Sequence, residues 1–476
     1  MASTQPAYSK RMMYVGVSVI ALILLVAGAV ALYRTAGRQT LSMDERYFRG
    51  TQLTIYNQGL GLVKQGFSHA FDQGMNELSI EGVASQIDTS SVKLTSKQEG
   101  IELLEQNYQY DLVNKDKLME RFVGKNISVL LRDPNEVVRG TLLSYSGGEA
   151  ILEMDDRTIQ ILQSGEYVLP EAGEGMLLLK PTLNWLIYST TAGIYDVTLM
   201  YMTRGMSWNA DYILLLNDLD TQGDFKGWVT INNNAGTTFT DAELKLLAGD
   251  VNVVSDAASY KMMNQVMAES PSYSGGAGGF QEEGMFEYHM YTLQRPATVR
   301  DKEQKQISLF EAGGIGVEKR FVYSRGDKVA VKVLFKNSEE NNMGIPLPKG
   351  KVKVFKEDKG GSLQFVGEDR IDHTPKDEEL ELTIGNAFDI AAEKKQLDYR
   401  TNQGYYTYSY EITLRNHKDE DVVVYVEEPV YGWREWRIIS ENYSHDKDSQ
   451  TKVVWKVPVP KDGEKKLTYT IEYKRN

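Results

Sequence analysis

The chain contains no cysteine among its 476 residues. This absence excludes disulfide bonds, cysteine nucleophiles, zinc–thiolate sites and the attachment of a lipid to a cysteine. Proline is also sparse, at 12 residues, whereas tyrosine is abundant, at 28, and this balance favours folded β-strands over a disordered stalk. The stability of the protein must therefore come from ordinary hydrophobic cores, of which a chain this long can form about two to four.

Basic residues are fewer than acidic ones, 53 against 66, so the formal net charge is −13. Residues 1–38 hold basic side chains and no acidic one, so the rest of the chain is more acidic than the whole. Proteins that bind nucleic acid present a basic face to the phosphates. The composition therefore argues against a nucleic-acid partner.

Only one long apolar run is present, the 22 uncharged residues Met12–Tyr33. As a helix this run reaches about 33 Å, enough to cross a hydrocarbon core of about 30 Å, and it predicts a single membrane-spanning anchor. A cleavable signal peptide is the alternative, since Lys10 and Arg11 precede the run and Ala29–Ala31 resembles a cleavage site. Both readings place the remaining domains outside the cytoplasm, and the anchor predicts a single-pass protein of the cell membrane.

The rest of the sequence predicts an all-β protein built from several units. Short apolar runs alternate with tight-turn signals such as Asn57-Gln-Gly59, which is typical of strands joined by hairpins. The predicted parts are residues 1–38 (basic N-terminus with the anchor or signal peptide), 39–50 (linker), 51–112 (N-terminal β-unit), 113–170 (short helix and SH3-like small barrel), 171–392 (β-sandwich) and 393–476 (immunoglobulin-like β-domain).

The part at 113–170 has the clearest local pattern. A helix is predicted over Lys115–Phe122, with Gly124 at the left-handed position that ends it. Short, evenly spaced strands follow, and Tyr167–Leu169 is expected to close them into a five-stranded barrel. Acidic residues outnumber basic ones in this part, so a structural spacer is favoured over an RNA-binding module.

Further along the chain, the composition changes at residues 255–284. This stretch includes Pro271–Gly279, a Ser- and Gly-rich segment that cannot bury enough apolar surface to stay ordered, and it predicts a mobile loop between two strands. Regular strands with short polar turns then continue to the C-terminus, among them Glu379–Ile384 and Tyr405–Arg415. That spacing favours immunoglobulin-like sandwiches.

One acidic turn resembles part of a calcium-binding loop. Asp218, Asp220 and Gln222 place oxygen ligands at positions 1, 3 and 5 before Gly223, and Asp224 follows, but Val229 stands where such a loop has its bidentate glutamate. A solvated acidic hairpin explains the same residues. These three aspartates are therefore candidates, and no metal site is assigned.

Aromatic residues suggest a second candidate site. Tyr406, Tyr408 and Tyr410 fall on one face of a predicted strand, and the candidate ligand-binding residues crowd a nearby turn: Tyr431, Trp433 and Trp436. Rings in this arrangement can stack on sugars, although cross-strand packing is the more common reason for them. The chain has neither histidines at zinc spacing nor a G-x-S-x-G serine motif, so we assign no catalytic residue and no cofactor and expect no enzymatic activity.

Several stretches resemble the bacterial and archaeal family catalogued as domain of unknown function 4139. The stretches that carry the resemblance are Leu53–Asn57 with Gly61–Val63, Glu105–Tyr108, Gly227–Ile231, Leu246–Asn252, Phe286–His289 with Tyr291–Leu293, Ile345–Pro348, Gly350–Phe355 and Gly367–Pro375. The resemblance covers nearly all of residues 50–476. It implies an exported β-rich protein, in a family sometimes grouped with mucoidy inhibitors, and it brings no activity, cofactor or catalytic residue.

These observations predict a membrane-anchored, extracytoplasmic protein that is a structural or interaction component of the cell envelope. Its expected partners are the membrane, through Met12–Tyr33, and other envelope proteins or copies of itself, through edge strands and the loop at 255–284. A carbohydrate- or ligand-binding surface module is the alternative. A hydrolase that works through paired carboxylates is the second alternative.

Overall fold

The computed structural model describes residues 39–42, 48–110, 115–132, 135–163, 165–170, 180–249, 251–252, 279–430, 435–449 and 451–474. In these ranges the chain is almost entirely β-structure, as the sequence predicts. The expected anchor Met12–Tyr33 lies outside the described residues. Among the residues that are described, no helix is long and apolar enough to cross a membrane.

The first third of the chain contains eleven strands and one helix in the described ranges. They are β1 (Gln39–Ser42), β2 (Phe48–Tyr56), β3 (Leu60–Phe71), β4 (Gly74–Glu81), β5 (Ile87–Ser96), β6 (Ile101–Gln109), α1 (Lys115–Arg121), β7 (Asn126–Arg132), β8 (Asn135–Ser146), β9 (Glu149–Glu153), β10 (Ile159–Leu162) and β11 (Glu166–Val168).

The remaining strands follow in two groups. From Thr182 to Tyr323 they are β12 (Thr182–Ser189), β13 (Gly193–Arg204), β14 (Met206–Leu216), β15 (Gln222–Asn233), β16 (Phe239–Ala248), β17 (Phe280–Met285), β18 (Tyr288–Leu293), β19 (Ala297–Val299), β20 (Glu303–Gly316) and β21 (Glu318–Tyr323). After these come β22 (Lys328–Lys336), the 3₁₀ turn Glu339–Asn341, β23 (Gly350–Glu357), β24 (Leu363–Ile371), β25 (Glu379–Asn402), β26 (Tyr405–Asn416), β27 (Val422–Pro429), β28 (Glu435–Glu441), β29 (His445–Ser449), β30 (Lys452–Val459) and β31 (Gly463–Lys474).

Three sheets surround the first and largest core. Their strand orders are β1-β4-β12-β6, β17-β18-β16-β2-β3-β13-β5 with β19 beside β16, and β20-β15-β14-β23-β24. The Trp208 side chain on β14 donates a hydrogen bond to the carbonyl oxygen of Leu247 on β16 (3.2 Å), which joins two of these sheets. The predicted unit 51–112 therefore shares both its sheets and its core with later strands, and the predicted linker contains β1 and the start of β2.

The small unit at 115–170 has its own core and differs from the expected barrel. The helix ends as predicted, with Gly124 at φ 83°, and β11 pairs with β7 in the sheet β10-β9-β8-β7-β11. Among the described strands, however, β10 and β11 are the two outer strands, so the sheet stays open. To close a sheet into a barrel, the two outer strands must pair with each other at a staggered register. Strands β10 and β11 are short for this, since they hold only four and three residues.

The C-terminal unit is one sheet folded over on itself. Its order is β28-β31-β26-β25-β22-β21-β27-β30-β29, yet β30 lies against β31 across the fold. The buried rings of Trp455 on β30 and Tyr469 on β31 are 4.4 Å apart between centroids. Two layers thus enclose a second core, which contains these rings together with Ile412 and Leu414 of β26.

Strand β25 runs through both large cores. Leu380 and Leu382 are buried in the first core, whereas Ile390 and Ala392, further along the same strand, are buried in the second. The strand holds 24 residues, and the predicted boundary between residues 392 and 393 falls inside it. One continuous strand therefore links the two cores.

The predicted mobile loop at 255–284 lies mostly outside the described residues. Its last six residues are described, and five of them belong to β17, which pairs with β18. Phe280 in this strand is buried against the first core. The stretch therefore leads directly into a paired strand, as expected of a connection inside one domain.

We predict that the two cores unfold together. Leu382→Ala and Ile390→Ala each remove a buried side chain, one in each core, and are expected to cost about 2–5 kcal/mol. Because both side chains belong to β25, each substitution should lower the temperature of the same transition in scanning calorimetry.

Leu397→Ala is the matched control for these variants, since Leu397 lies on the same strand with an exposed side chain. It should change stability by no more than about 0.5 kcal/mol. Two separate transitions, one lowered by each core variant, would contradict the coupling.

Candidate functional site

A cleft of about 480 Å³ opens at one end of the C-terminal unit. Three elements form it: the turn between β21 and β22, the end of β27, and the part of the β25–β26 hairpin that faces them. The lining residues are Tyr323, Ser324, Arg325, Gly326, Lys394, Gln396, Tyr410, Glu428 and Pro429. Most of them are polar, although the core directly beneath is apolar.

Glu428 is the central residue of the cleft. It is only 8% exposed and is next to last in β27, on the buried face whose other residues are Val422, Val424 and Val426. Its Oε2 accepts a hydrogen bond from Nζ of Lys394 on β25 (2.6 Å) and another from the hydroxyl of Tyr469 on β31 (2.7 Å). A buried carboxylate needs this kind of pairing, because an unpaired charge away from water is strongly unfavourable.

Lys394 is held on two sides. Its ammonium nitrogen lies 4.1 Å from the ring centroid of Tyr410 and 5.7 Å from that of Tyr469, in addition to its ion pair with Glu428. The negative face of an aromatic ring attracts a cation, most strongly where water is excluded. The Lys394 side chain is therefore fixed at the wall of the cleft.

The tyrosines around Glu428 stay protonated well into the alkaline range. Burial, followed by the charge of Glu428, raises the pKa of Tyr469 and raises that of Tyr410 to about 12. A raised tyrosine pKa means that the neutral hydroxyl is favoured in the fold. Tyr469 therefore donates its hydrogen bond to Glu428 throughout the physiological pH range.

The turn on the opposite side is shaped by Gly326. This residue has φ 76°, a left-handed conformation that other L-residues rarely adopt, and its carbonyl oxygen accepts a hydrogen bond from the Tyr323 hydroxyl (2.9 Å). The bond fixes the turn that carries Ser324 and Arg325. Both flanks of the cleft are therefore positioned by buried tyrosines.

The predicted aromatic site is only partly described. Tyr431 and Trp433 lie outside the described residues. Trp436 is half-buried on β28, paired with Tyr473 and packed against the second core. Tyr408 and Tyr410 share a face as predicted, with nearly parallel rings 6.0 Å apart.

The predicted acidic turn is stabilised by lysines. The Asp220 carboxylate accepts hydrogen bonds from Nζ of Lys319 (2.5 Å) and Nζ of Lys356 (2.6 Å). Partial burial opposes ionisation of Asp220, but these two cations outweigh it and hold the pKa of the carboxyl below its usual value. Asp220 therefore ties the β14–β15 turn to β21 and β23, and both of its oxygens are already paired.

The other two aspartates of that turn line a second cleft, of about 350 Å³, together with Glu357. Asp224 accepts a hydrogen bond from the backbone N–H of Gly314 (3.0 Å), and Asp218 is exposed. In the described ranges, no group of three or more histidine, aspartate or glutamate side chains could hold a metal ion. The geometry is that of a solvated hairpin with one partly buried, ion-paired carboxylate.

Sequence reasoning did not single out the residues that meet at the first cleft. Neither Glu428 nor Lys394 belongs to a motif that indicates a binding site. The two are 34 positions apart in the chain and lie on strands that are not adjacent in the sheet. A polar residue near the end of an apolar alternating strand, as Glu428 is, was the one available hint.

Substitution of Glu428 should reveal how much its ion pair with Lys394 contributes to the stability of the fold. Glu428→Gln leaves the Lys394 ammonium without a counter-charge and is expected to destabilise the fold by about 1–3 kcal/mol in urea unfolding. Glu464→Gln, at an exposed position of β31, is the matched control and should have little effect.

A double variant sharpens this test. Lys394→Met combined with Glu428→Gln removes both charges, so it should recover part of the stability that the single variant loses. Unchanged stability of the single variant would show that the ion pair contributes nothing to the fold.

Asp220 provides a prediction about pH. Asp220→Asn should cost about 1–3 kcal/mol at neutral pH, because two lysines lose their partner. A carboxyl with a lowered pKa stabilises the fold above its unfolded pKa of about 4 and loses that contribution as pH falls through the folded value. The stability difference between wild type and variant should therefore shrink below about pH 4.

Urea unfolding across this pH range measures that difference. Asp218→Asn, in the same turn but at an exposed position, is the control and should follow the wild type at every pH. A constant difference for Asp220→Asn from neutral to acidic pH would refute the assignment.

Comparison with known protein families gives a match over much of the chain. The sequence profile of the family described as Domain of unknown function (DUF4139) matches residues 197–475, a range that includes the cleft and the whole described C-terminal unit. No curated protein matches the chain. The match confirms the resemblance that the sequence indicates, and since it covers more than half of the chain, this protein belongs to the family described as Domain of unknown function (DUF4139).

Proposed function

We propose that this protein is a structural or protein-interaction component of the cell envelope, anchored through Met12–Tyr33 with its β-domains outside the cytoplasm. The proposal is supported by exposed apolar side chains on two neighbouring strands, Leu363 and Phe365 on β24 and Phe388 on β25, which are together called the apolar patch. Monomeric soluble proteins rarely expose such side chains together unless the surface contacts a partner.

Phe388 lies on a bulge of β25. Ala330 pairs with Asn386 and Lys328 pairs with Ala391, so residues 387–390 stand opposite the single residue Val329. The bulge turns the Phe388 side chain outward, and it is 100% exposed, whereas Ile390 two residues later is buried. Bulges of this kind commonly aim a side chain at a functional surface.

Leu363 and Phe365 lie on β24, which is the outermost of the described strands in its sheet. They are 57% and 56% exposed. The side chain of Asp369 on the same strand accepts a hydrogen bond from the backbone N–H of Thr383 (2.6 Å), so β24 runs beside β25. An outer strand with exposed apolar residues offers both backbone hydrogen bonds and apolar contacts to a partner strand.

The proposal also includes a role for two units of the fold. We infer that the C-terminal unit acts as an immunoglobulin-like module and the unit at 115–170 as a structural spacer. The folded-over sheet with its own core supports the first inference, and the separate core of the small open sheet supports the second.

Ligand binding is a second candidate function. The cleft around Glu428 favours it, because convergent polar side chains in a concave site of this size are typical of ligand sites. The hydrolase alternative would require two carboxylates facing a substrate. Glu428 is the one carboxylate among the described residues that line this cleft.

Site-specific photo-crosslinking in cells tests the interaction role. A photoreactive residue in place of Phe388 should give a discrete crosslinked product. The same residue in place of Ile194, which is 73% exposed on a different sheet, is the matched control and should give none. Identical products from both positions, or none from position 388, would contradict a role for the apolar patch.

Fractionation tests the anchor separately. The full chain should stay with membranes after an alkaline carbonate wash, and a variant lacking residues 12–33 should be released. Release of the intact full-length chain by the wash would contradict the proposed membrane anchor, whatever the crosslinking shows.

A further inference from the structure

We propose that the cleft around Glu428 and Lys394 binds a neutral, hydroxyl-rich ligand, namely a saccharide unit. This inference rests on the second candidate function, ligand binding. Three properties of the cleft carry it: the balance of its charges, the pairing of a donor with an acceptor in its wall, and its size.

The charges in and beside the cleft balance. Lys394 is paired with Glu428, and the turn that carries Arg325 also carries Asp327, whose charge acts on Tyr323 in the lining. A cationic ligand would approach two positive side chains, and an anionic ligand would approach a carboxylate that is already buried. A neutral ligand avoids both repulsions.

The wall of the cleft presents an acceptor beside a donor. In the described residues both protein donors go to Oε2 of Glu428, which leaves Oε1 to accept from a ligand. An ammonium group has three N–H donors, and Lys394 gives one of them to Glu428. Each hydroxyl of a vicinal pair both donates and accepts, so two such hydroxyls complement this arrangement.

The other lining residues fit the same ligand. The Ser324 hydroxyl and the Gln396 amide can each donate and accept, while the rings of Tyr410 and Pro429 add apolar surface for the C–H groups of a sugar. A purely apolar ligand would instead leave these polar groups without partners.

The size of the cleft is also suitable. Its volume of about 480 Å³ falls within the range of about 300–1,000 Å³ that small-molecule sites occupy. That space accommodates a mono- or disaccharide. Because Glu428 and Lys394 are already fixed by Tyr469 and Tyr410, binding would require little reordering of the site.

The test is titration of the full-length protein in detergent, observed by saturation-transfer NMR and calorimetry. The probes are four neutral disaccharides: maltose, cellobiose, lactose and N,N′-diacetylchitobiose. Galacturonate and glucosamine provide the anionic and cationic arms. We expect at least one neutral sugar to bind with a Kd on the order of 1 mM or tighter, and the charged probes to bind more weakly.

Gln396→Ala and Ser324→Ala remove exposed hydrogen-bonding groups of the lining while leaving the Lys394–Glu428 pair intact. Each should weaken binding about three- to tenfold. Gln304→Ala, at an exposed position of β20, is the matched control and should leave the Kd unchanged.

Three results would overturn the proposal. They are no binding of any neutral disaccharide by the folded protein, tighter binding of either charged probe, and neutral-sugar binding that neither lining variant weakens. The crosslinking at Phe388 involves a different surface, so failure here is distinguishable from failure of the proposed interaction role.

Discussion

The backbone ladder of β25 is the constraint on which the rest of the structure depends. An extended strand of 24 residues reaches up to about 80 Å, longer than one small core, so this strand must be covered by two. Its first buried residues, Leu380 and Leu382, enter the first core, and Ile390 and Ala392 enter the second. Because β22 pairs along the same stretch, with Val333 in one core and Val329 in the other, two strands and not one connect the cores.

This connection also determines where the exposed features lie. The register with β22 shifts between the two cores, and the bulge that absorbs the shift carries Phe388. Past this bulge, β25 pairs with β26 as a hairpin, in which Lys394 and Gln396 line the cleft. The positions of the apolar patch and the polar cleft thus both depend on one strand, β25, that is too long for a single core. The hydrogen bonds of β25 fix these positions relative to the rest of the fold.

Local features of the fold were readable from the sequence, and long-range ones were not. Asn57-Gln-Gly59 indicates the turn between β2 and β3, and Gly124 indicates the end of α1, because each depends on neighbouring residues alone. Only Glu379–Ile384 of β25 has a strand-like pattern, since the polar residues that follow become a strand through pairing with β26. For the same reason the shared sheets of residues 51–112, the open edge of the small unit and the meeting of Lys394 with Glu428 required the structure.

The two exposed features call for opposite kinds of partner. At the apolar patch, Leu363, Phe365 and Phe388 gain by leaving water, so a protein surface or strand is the matching partner. At the cleft, Glu428 and Lys394 are already partly desolvated and paired. A ligand therefore gains binding free energy only if its hydrogen bonds replace those that water makes to the cleft. The first contact tolerates many apolar sequences, whereas the second discriminates by hydroxyl position. A single rigid frame can therefore hold a partner at one surface and recognise a small polar ligand at another.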